Sequence, residues 1–224
     1  MMADRLRARK IHWGSRILSF FSQSSSRYVE YEFARTNLPE VPSVMADVGA
    51  CGSLFALKCA KMGYDTYAVD FKEYHEKHSR LTTVKADICK LPFPDNKFDV
   101  ISCISTVEHI GLTAYGDPEH DNGDFLAIDE LTRVIKDGGY LILTTPFGNE
   151  YHLERWMGGQ ERIYDKDRLN SLFRNYRILK ESYYIPFKKK KWVAVELEEA
   201  RKVHESYPRS NLSCFLLQKV RSNE

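Results

Sequence analysis

The segment Ala46-Asp47-Val48-Gly49-Ala50-Cys51-Gly52-Ser53 decides the fold of this chain. It places two glycines between an apolar strand, predicted over residues 44–48, and a helix, predicted over residues 53–62. Glycine allows a sharp turn and a close approach of the backbone to a ligand, and the first turn of a helix offers free N–H groups. The segment therefore predicts a strand–turn–helix unit at a ligand site. A tight turn that binds nothing is the alternative.

Strand and helix patterns alternate along the rest of the chain. Further strands are predicted over residues 66–69, 81–85, 98–104 and 140–144, and further helices over 5–21, 27–38, 124–135 and 165–173. Asp137-Gly138-Gly139 is expected to stop the third of these helices, and residues 176–184 and 212–220 to form an antiparallel closing pair. The pattern predicts a doubly wound α/β fold with a mostly parallel seven-stranded sheet and an antiparallel terminal strand. The ligand crevice is then expected outside the carboxyl ends of the strands.

The composition narrows the classes of function. Lys and Arg number 33 against 31 Asp and Glu, so the net charge of +2 gives no strong signal for nucleic-acid binding. Five cysteines at scattered spacings suggest reduced thiols and a cytoplasmic location. Neither a bilayer-spanning run nor a secretory signal is predicted. The basic amphipathic helix at residues 5–21 could lie on an anionic membrane, although such a helix more often covers the fold.

Acidic residues follow the next two predicted strands. Asp70 ends the second strand, roughly 20 residues beyond the glycine turn, where a carboxylate can accept hydrogen bonds from both hydroxyls of a ribose. Asp87 follows the third strand, where it could accept from an adenine amino group. Each acid alone is more often a cap or a surface charge, but their order after the turn favours a nucleoside-containing ligand.

At this point the chain resembles a known family. The ordered segments ADVGACGS, AVD, KADICKLPFPDNKFDVISCISTVEHI and LTRVIKDGGYLILTTPFG resemble class I S-adenosylmethionine-dependent methyltransferases, in particular the group typified by the ubiquinone and menaquinone methyltransferases. The likeness covers roughly residues 44–147. The loop EHIGLTAYGDPEHDNGDFLAIDEL, followed by ERIYDKDRL, resembles a narrower subgroup of poorly characterised methyltransferase-like proteins. The dinucleotide fingerprint G-x-G-x-x-G of Rossmann dehydrogenases is absent from the turn.

The resemblance implies S-adenosylmethionine as cofactor and assigns roles to the residues that match its motifs. Asp47, Gly49 and Cys51 would lie beside the methionine part, although the family usually has glycine at the position of Cys51. Asp70 would bind the ribose hydroxyls. The adenine would face Asp87 and the backbone N–H of Ile88, and the transferable methyl group would face Ser105 and Thr106.

The sequence says less about the residues that would contact the methyl acceptor. His109 is the candidate catalytic base, because an imidazole can take a proton from an oxygen or nitrogen nucleophile. The alternative is that Glu108 caps a helix and His109 packs against the sheet edge. Some methyltransferases of this class bind a divalent ion through Glu-x-x-Glu-His, but Ser105 replaces the first glutamate here, so no metal is predicted. The remaining acceptor-side candidates are Tyr115, Asp117, Asp121, His152, Arg155 and Arg162.

These expectations combine into one functional hypothesis. A helical cap over residues 1–40 and a methyltransferase domain over residues 41–224 form a single-domain enzyme that methylates an oxygen or nitrogen atom of a small-molecule, glycan or lipid-linked acceptor. Two alternatives stay open. Cys51 leaves room for a non-catalytic binding module with the same fold, and the lysine run at residues 188–191 for a nucleic-acid methyltransferase.

Overall fold

A computed structural model describes residues 26–113, 115–116, 118–156, 159–187, 191–202 and 210–221. The predicted N-terminal helix at residues 5–21 lies outside them. The strands are β1 (Val44–Val48), β2 (Asp65–Asp70), β3 (Leu81–Lys85), β4 (Phe98–Ile104), β5 (Ile135–Phe147), β6 (His152–Trp156), β7 (Gly159–Ile163), β8 (Tyr176–Phe187), β9 (Lys191–Val195) and β10 (Asn211–Lys219). The helices are α1 (Ser26–Thr36), α2 (Phe55–Lys61), α3 (Gly123–Val134), α4 (Lys166–Leu172) and α5 (Leu197–Ala200), and a 3-10 turn spans Val107–His109.

The main sheet is doubly wound and mostly parallel, as the sequence predicts. Within the described residues its strand order is β3-β2-β1-β4-β5-β10-β8-β9. β1 to β5 are parallel, and β10 lies antiparallel between β5 and β8, which confirms the closing pair. The sheet has eight of these strands rather than seven, because β8 continues into a hairpin with β9.

Two apolar cores lie on opposite faces of the sheet. On β5, Leu141 and Leu143 pack on the face covered by α3 and α4, whereas Ile142 packs on the face covered by α1 and α2. This division follows from the alternation of side chains along a strand. Because both faces are covered, a ligand can reach the sheet only at its ends.

The Asp137-Gly138-Gly139 segment corrects one prediction. Helix α3 ends at Val134, and Ile135 is already extended and paired with Phe98, so the glycines do not stop the helix. They lie instead within β5, where the pairing with β4 shifts register and Gly138 has a φ of +77°. The two glycines, which the sequence suggested as a helix end, therefore belong to an irregular part of a β-strand.

Candidate functional site

A cavity of about 330 Å³ opens at the carboxyl ends of β1, β2 and β4, where the strand order reverses. This volume falls within the usual range for small-molecule sites. The lining includes seven of the eight residues that the sequence predicts to bind the cofactor: Gly49, Cys51, Asp70, Asp87, Ile88, Ser105 and Thr106. The structure therefore brings together residues that are up to 57 positions apart in the sequence, as the parallel topology predicts.

The turn after β1 depends on Gly49. Its φ of +80° lies in the left-handed region, and a Cβ atom there would lie 2.1 Å from Oγ1 of Thr106. The backbone N–H groups of Gly49 and Ala50 both donate to the carbonyl of Val69, at 2.9 and 3.2 Å. The turn is thereby tied to the end of β2, and its glycine admits the side chain of Thr106.

The Asp70 carboxylate closes the turn from the other side. Its Oδ2 accepts from the backbone N–H of Cys51 at 2.8 Å, and its Oδ1 accepts from that of Lys72 at 2.8 Å. Each carboxylate oxygen can accept more than one hydrogen bond, so Asp70 keeps acceptor capacity on the cavity side. Cys51 is exposed, and its thiol lies 3.8 Å from the carbonyl oxygen of Glu73.

Asp87 and Ile88 form the wall that follows β3. Oδ1 of Asp87 accepts from the backbone N–H of Cys89 at 2.9 Å, which fixes the direction of the carboxylate. Ile88 is buried and contributes an apolar surface. An acceptor beside an apolar wall suits a flat heteroaromatic ring that carries an amino group.

Asp47 lies behind the turn rather than in the cavity wall. Ser102 donates a hydrogen bond to its Oδ1 at 2.7 Å, and burial raises the pKa of Asp47 to about 7, against the opposing effects of Ser102 and the backbone of Ala56. Asp47 therefore contacts the start of α2 and β4 and does not line the cavity, where the sequence had placed it beside the cofactor. The sequence did not indicate this, because burial of an acidic side chain depends on contacts with β4.

Helix α1 contributes residues that the sequence analysis missed. Arg27 lines the cavity and donates to the carbonyl of Ile104 at 3.0 Å. The buried carboxylate of Glu30 accepts from Ser105 and, at 2.8 Å, from Thr144, and it lies 3.6 Å from the Arg27 guanidinium. This network holds Ser105 at a φ of +42°. An acidic residue within an otherwise apolar helical face was the signal in the sequence.

A second cavity of about 240 Å³ adjoins the first and shares Arg27, Ser105 and His109 with it. Nδ1 of His109 lies 3.2 Å from the carbonyl oxygen of Gln160. A carbonyl oxygen only accepts, so Nδ1 is the donor in this contact. His109 therefore lies between the two cavities, and its Nε2 is 3.9 Å from Oε1 of Glu108.

The other acceptor-side candidates differ in their distance from the cavities and in their exposure to solvent. Tyr115 lines the first cavity, whereas Asp121, His152 and Arg155 are exposed. Asp117 and residues 188–190 of the lysine run lie outside the described residues. Arg162 is fully buried and donates to the carbonyl of Ile110 at 2.7 Å, so it supports the 3-10 turn.

Among the described residues, no three His, Cys, Asp or Glu side chains cluster in a way that could hold a metal ion. No helix in the same part of the chain combines the length and apolar character that crossing a bilayer requires.

Known proteins share this fold. Residues 46–143 match the family model described as a methyltransferase domain. A 1,6-didemethyltoxoflavin-N1-methyltransferase from Burkholderia thailandensis, solved with S-adenosylhomocysteine, superposes with a TM-score of 0.60 at 15% identity over 80% of this chain and 72% of that one. An S-adenosylmethionine-dependent methyltransferase from Mesorhizobium loti gives 0.60 at 15% identity over 85% and 97%. The [4+2]-cyclase SpnF gives 0.61 at 16% identity over 87% and 80%. The comparison with curated proteins finds no significant match.

The matched methyltransferase domain, the fold and the cavity together support S-adenosylmethionine-dependent methyl transfer. The residues present fit that cofactor. Asp70 offers acceptors for a ribose diol, Asp87 and Ile88 offer an acceptor and an apolar wall for adenine, and a Cβ at Gly52 would meet no atom within 4 Å, so the turn leaves open space. Cys51 does not fill this space, since it is exposed beside the Glu73 carbonyl.

Proposed function

We propose that this protein transfers a methyl group to an oxygen or nitrogen atom of a small-molecule, glycan or lipid-linked acceptor in the cytoplasm. The observation that carries the proposal is the second cavity, which meets the cofactor cavity at His109. An acceptor in the second cavity would reach the first beside a basic nitrogen. The likeness to the ubiquinone and menaquinone methyltransferases supports the same proposal.

Bound S-adenosylmethionine would supply a methyl group on a sulfonium sulfur, which keeps the electron pair of the broken carbon–sulfur bond. The chain's own part is to orient the acceptor and to remove its proton. Nε2 of His109 would take that proton, while the Gln160 carbonyl holds the ring and stabilises the resulting imidazolium. Arg162 supports this geometry through the Ile110 carbonyl.

The first experiment is a thermal shift. S-adenosylmethionine and S-adenosylhomocysteine at millimolar concentration should both raise the melting temperature, because a ligand that binds only the folded state stabilises it, whereas NAD should not. A shift with NAD alone would contradict the proposal.

The second experiment screens metabolite extracts with an isotope-labelled methyl donor to identify an acceptor. Once an acceptor is known, His109→Ala should lower turnover by about 10²–10⁴-fold and leave cofactor affinity unchanged. The matched control is His152→Ala, since His152 is an exposed histidine outside both cavities. We expect activity to persist with a chelator; chelator-sensitive activity restored by magnesium would contradict the metal-independent proposal.

A further inference from the structure

The second cavity is lined by polar atoms that lack partners within the described part of the chain. Among the described residues, six buried side-chain nitrogen or oxygen atoms have no hydrogen-bond partner. Three of the six belong to residues that line this cavity: Oε2 of Glu108, Nε1 of Trp192 and Oδ1 of Asn211. Buried polar atoms in folded proteins are almost always paired. Their concentration around one cavity indicates a ligand that completes the hydrogen bonds.

Of these residues, Glu108 has the ionisable side chain, and its burial is the most costly in free energy. Its side chain is only 2% exposed, and its Oε1 lies 3.9 Å from Nε2 of His109. Burial raises the pKa of Glu108 well above its usual range, and Arg27 opposes the shift only in part. A buried carboxyl oxygen without a hydrogen-bond partner is costly, and Oε2 of Glu108 has none among the described residues.

The remaining charges around the cavity leave an excess of carboxylate. Glu161, on β7, also lines it, and burial raises the pKa of Glu161 too. The Arg27 guanidinium is already engaged by Glu30 and by the carbonyl of Ile104. Neither Glu108 nor Glu161 forms an ion pair with a Lys or Arg of the described residues. A cation would therefore neutralise what the chain leaves unpaired.

We infer that the acceptor is an amine, and that Glu108 and Glu161 hold its ammonium group in the second cavity. This inference rests on the proposed function and narrows its acceptor atom to nitrogen. An ammonium group carries three N–H donors, which matches the acceptor atoms of Glu108, Glu161 and Asn211 around one space. The indole N–H of Trp192 would donate to an oxygen atom elsewhere on the same molecule.

The same carboxyl groups account for the proton that must leave. An ammonium nitrogen has no lone pair, so one N–H proton passes to the Glu108 carboxylate and on to Nε2 of His109, 3.9 Å away, and the N–H bonding pair becomes the lone pair of the neutral amine. That pair forms the new nitrogen–carbon bond, and the product is a methylated ammonium ion. A buried carboxylate is the stronger base for this step, since burial disfavours its charged form.

The test uses the full chain saturated with S-adenosylhomocysteine, so that binding is measured without turnover. The probes are three matched sets: benzylamine, benzyl alcohol and benzoate; phenethylamine, 2-phenylethanol and phenylacetate; and n-butylamine, n-butanol and butyrate. We expect the amine of each set to raise the melting temperature more than its alcohol or acid, and calorimetry to give a measurable Kd for at least one amine.

Charge-neutral variants then locate the binding. Glu108→Gln and Glu161→Gln should each weaken amine binding at least about 10-fold, as expected when a charged hydrogen-bond partner is lost. The matched control is Glu150→Gln, because Glu150 is an exposed glutamate outside the cavity. If Glu108→Gln does not fold, Glu161→Gln on the hairpin carries the test alone.

Two results would overturn the inference: amines that shift the melting temperature no more than their alcohols and acids, or amine affinity unchanged in both cavity variants. Failure of the proposed function is seen separately. It would appear as absence of S-adenosylhomocysteine binding to the parent protein, measured before any amine is added.

Discussion

Replacing Gly49 by alanine tests the turn on which the cofactor cavity depends. At a φ of +80°, an alanine costs about 1–2 kcal/mol in the left-handed conformation. Its Cβ would also lie 2.1 Å from Oγ1, 2.5 Å from Cγ2 and 2.8 Å from Cβ of Thr106, and such overpacking typically costs about 1–3 kcal/mol. We therefore expect Gly49→Ala to lower the free energy of unfolding by about 2–5 kcal/mol.

Gly52→Ala is the matched control, because it isolates the conformational term. Gly52 has nearly the same φ, +78°, but nothing lies within 4 Å of an added Cβ. This variant should lose only the conformational term of about 1–2 kcal/mol. Urea unfolding of both variants, followed by circular dichroism at equal protein concentration, measures the difference.

A double variant locates the clash at Thr106. Against the background of Thr106→Ala, which removes the two nearest atoms, Gly49→Ala should cost less than it does in the parent. Equal losses for Gly49→Ala and Gly52→Ala, or an undiminished loss in the Thr106→Ala background, would refute the close approach of Gly49 to Thr106.

Three further predictions concern the same crevice. Asp70→Ala should weaken S-adenosylhomocysteine binding by roughly 1.5–3 kcal/mol, the range for hydrogen bonds to a charged group, while the fold survives; unchanged affinity in calorimetry would make Asp70 a support of the turn only. Cys51→Gly should bind the cofactor at least as tightly as the parent, since the thiol is directed to the Glu73 carbonyl in the loop after β2; a folded variant that loses cofactor binding would contradict this. Folding raises the pKa of Asp47 from 3.8 to about 7, because the buried carboxyl group is disfavoured in its charged form. The free energy of unfolding is therefore unaffected by this group below pH 3.8, where it is protonated in both states. It decreases by up to about 4 kcal/mol as the pH rises towards 7 and the unfolded chain loses the proton first. Asp47→Asn should remove that loss, so the stability difference between variant and parent, measured by urea unfolding from pH 4 to pH 8, should increase with pH and level off above 7; a flat difference would contradict the burial of a titrating Asp47.

Much of the cofactor half follows from local sequence. The predicted bounds of β1, β3 and β4 agree with the structure, because each is a short apolar or alternating run closed by glycine, aspartate or serine. The irregular first part of β5, which contains residues 137–139, could not be predicted from local sequence. Asp137-Gly138-Gly139 is typical of a helix end, and only its pairing with β4 decides that it continues a strand.

The acceptor half could be predicted only in part. His109 was identified from its place after β4, and the structure sets it between the two cavities. Glu161 and Trp192 carried no local signal, since a half-buried glutamate in a hairpin and a tryptophan after a lysine run are common in ordinary folds. Arg162 was one of several candidates for the acceptor pocket, with a solvated loop position as the alternative, but it is buried beneath the 3-10 turn.

The sequence by itself determined the parallel sheet, the glycine turn and the acids at the strand ends, because each depends on neighbours a few residues apart and on the shared carboxyl edge of parallel strands. Only the tertiary structure decided which charges lie together. Glu30 meets Thr144 across 114 positions, and His109 meets Gln160 across 51. Whether a carboxyl group is solvated, paired or left unpaired in a cavity depends on such distant contacts, and the second cavity acquires its acidic character from them.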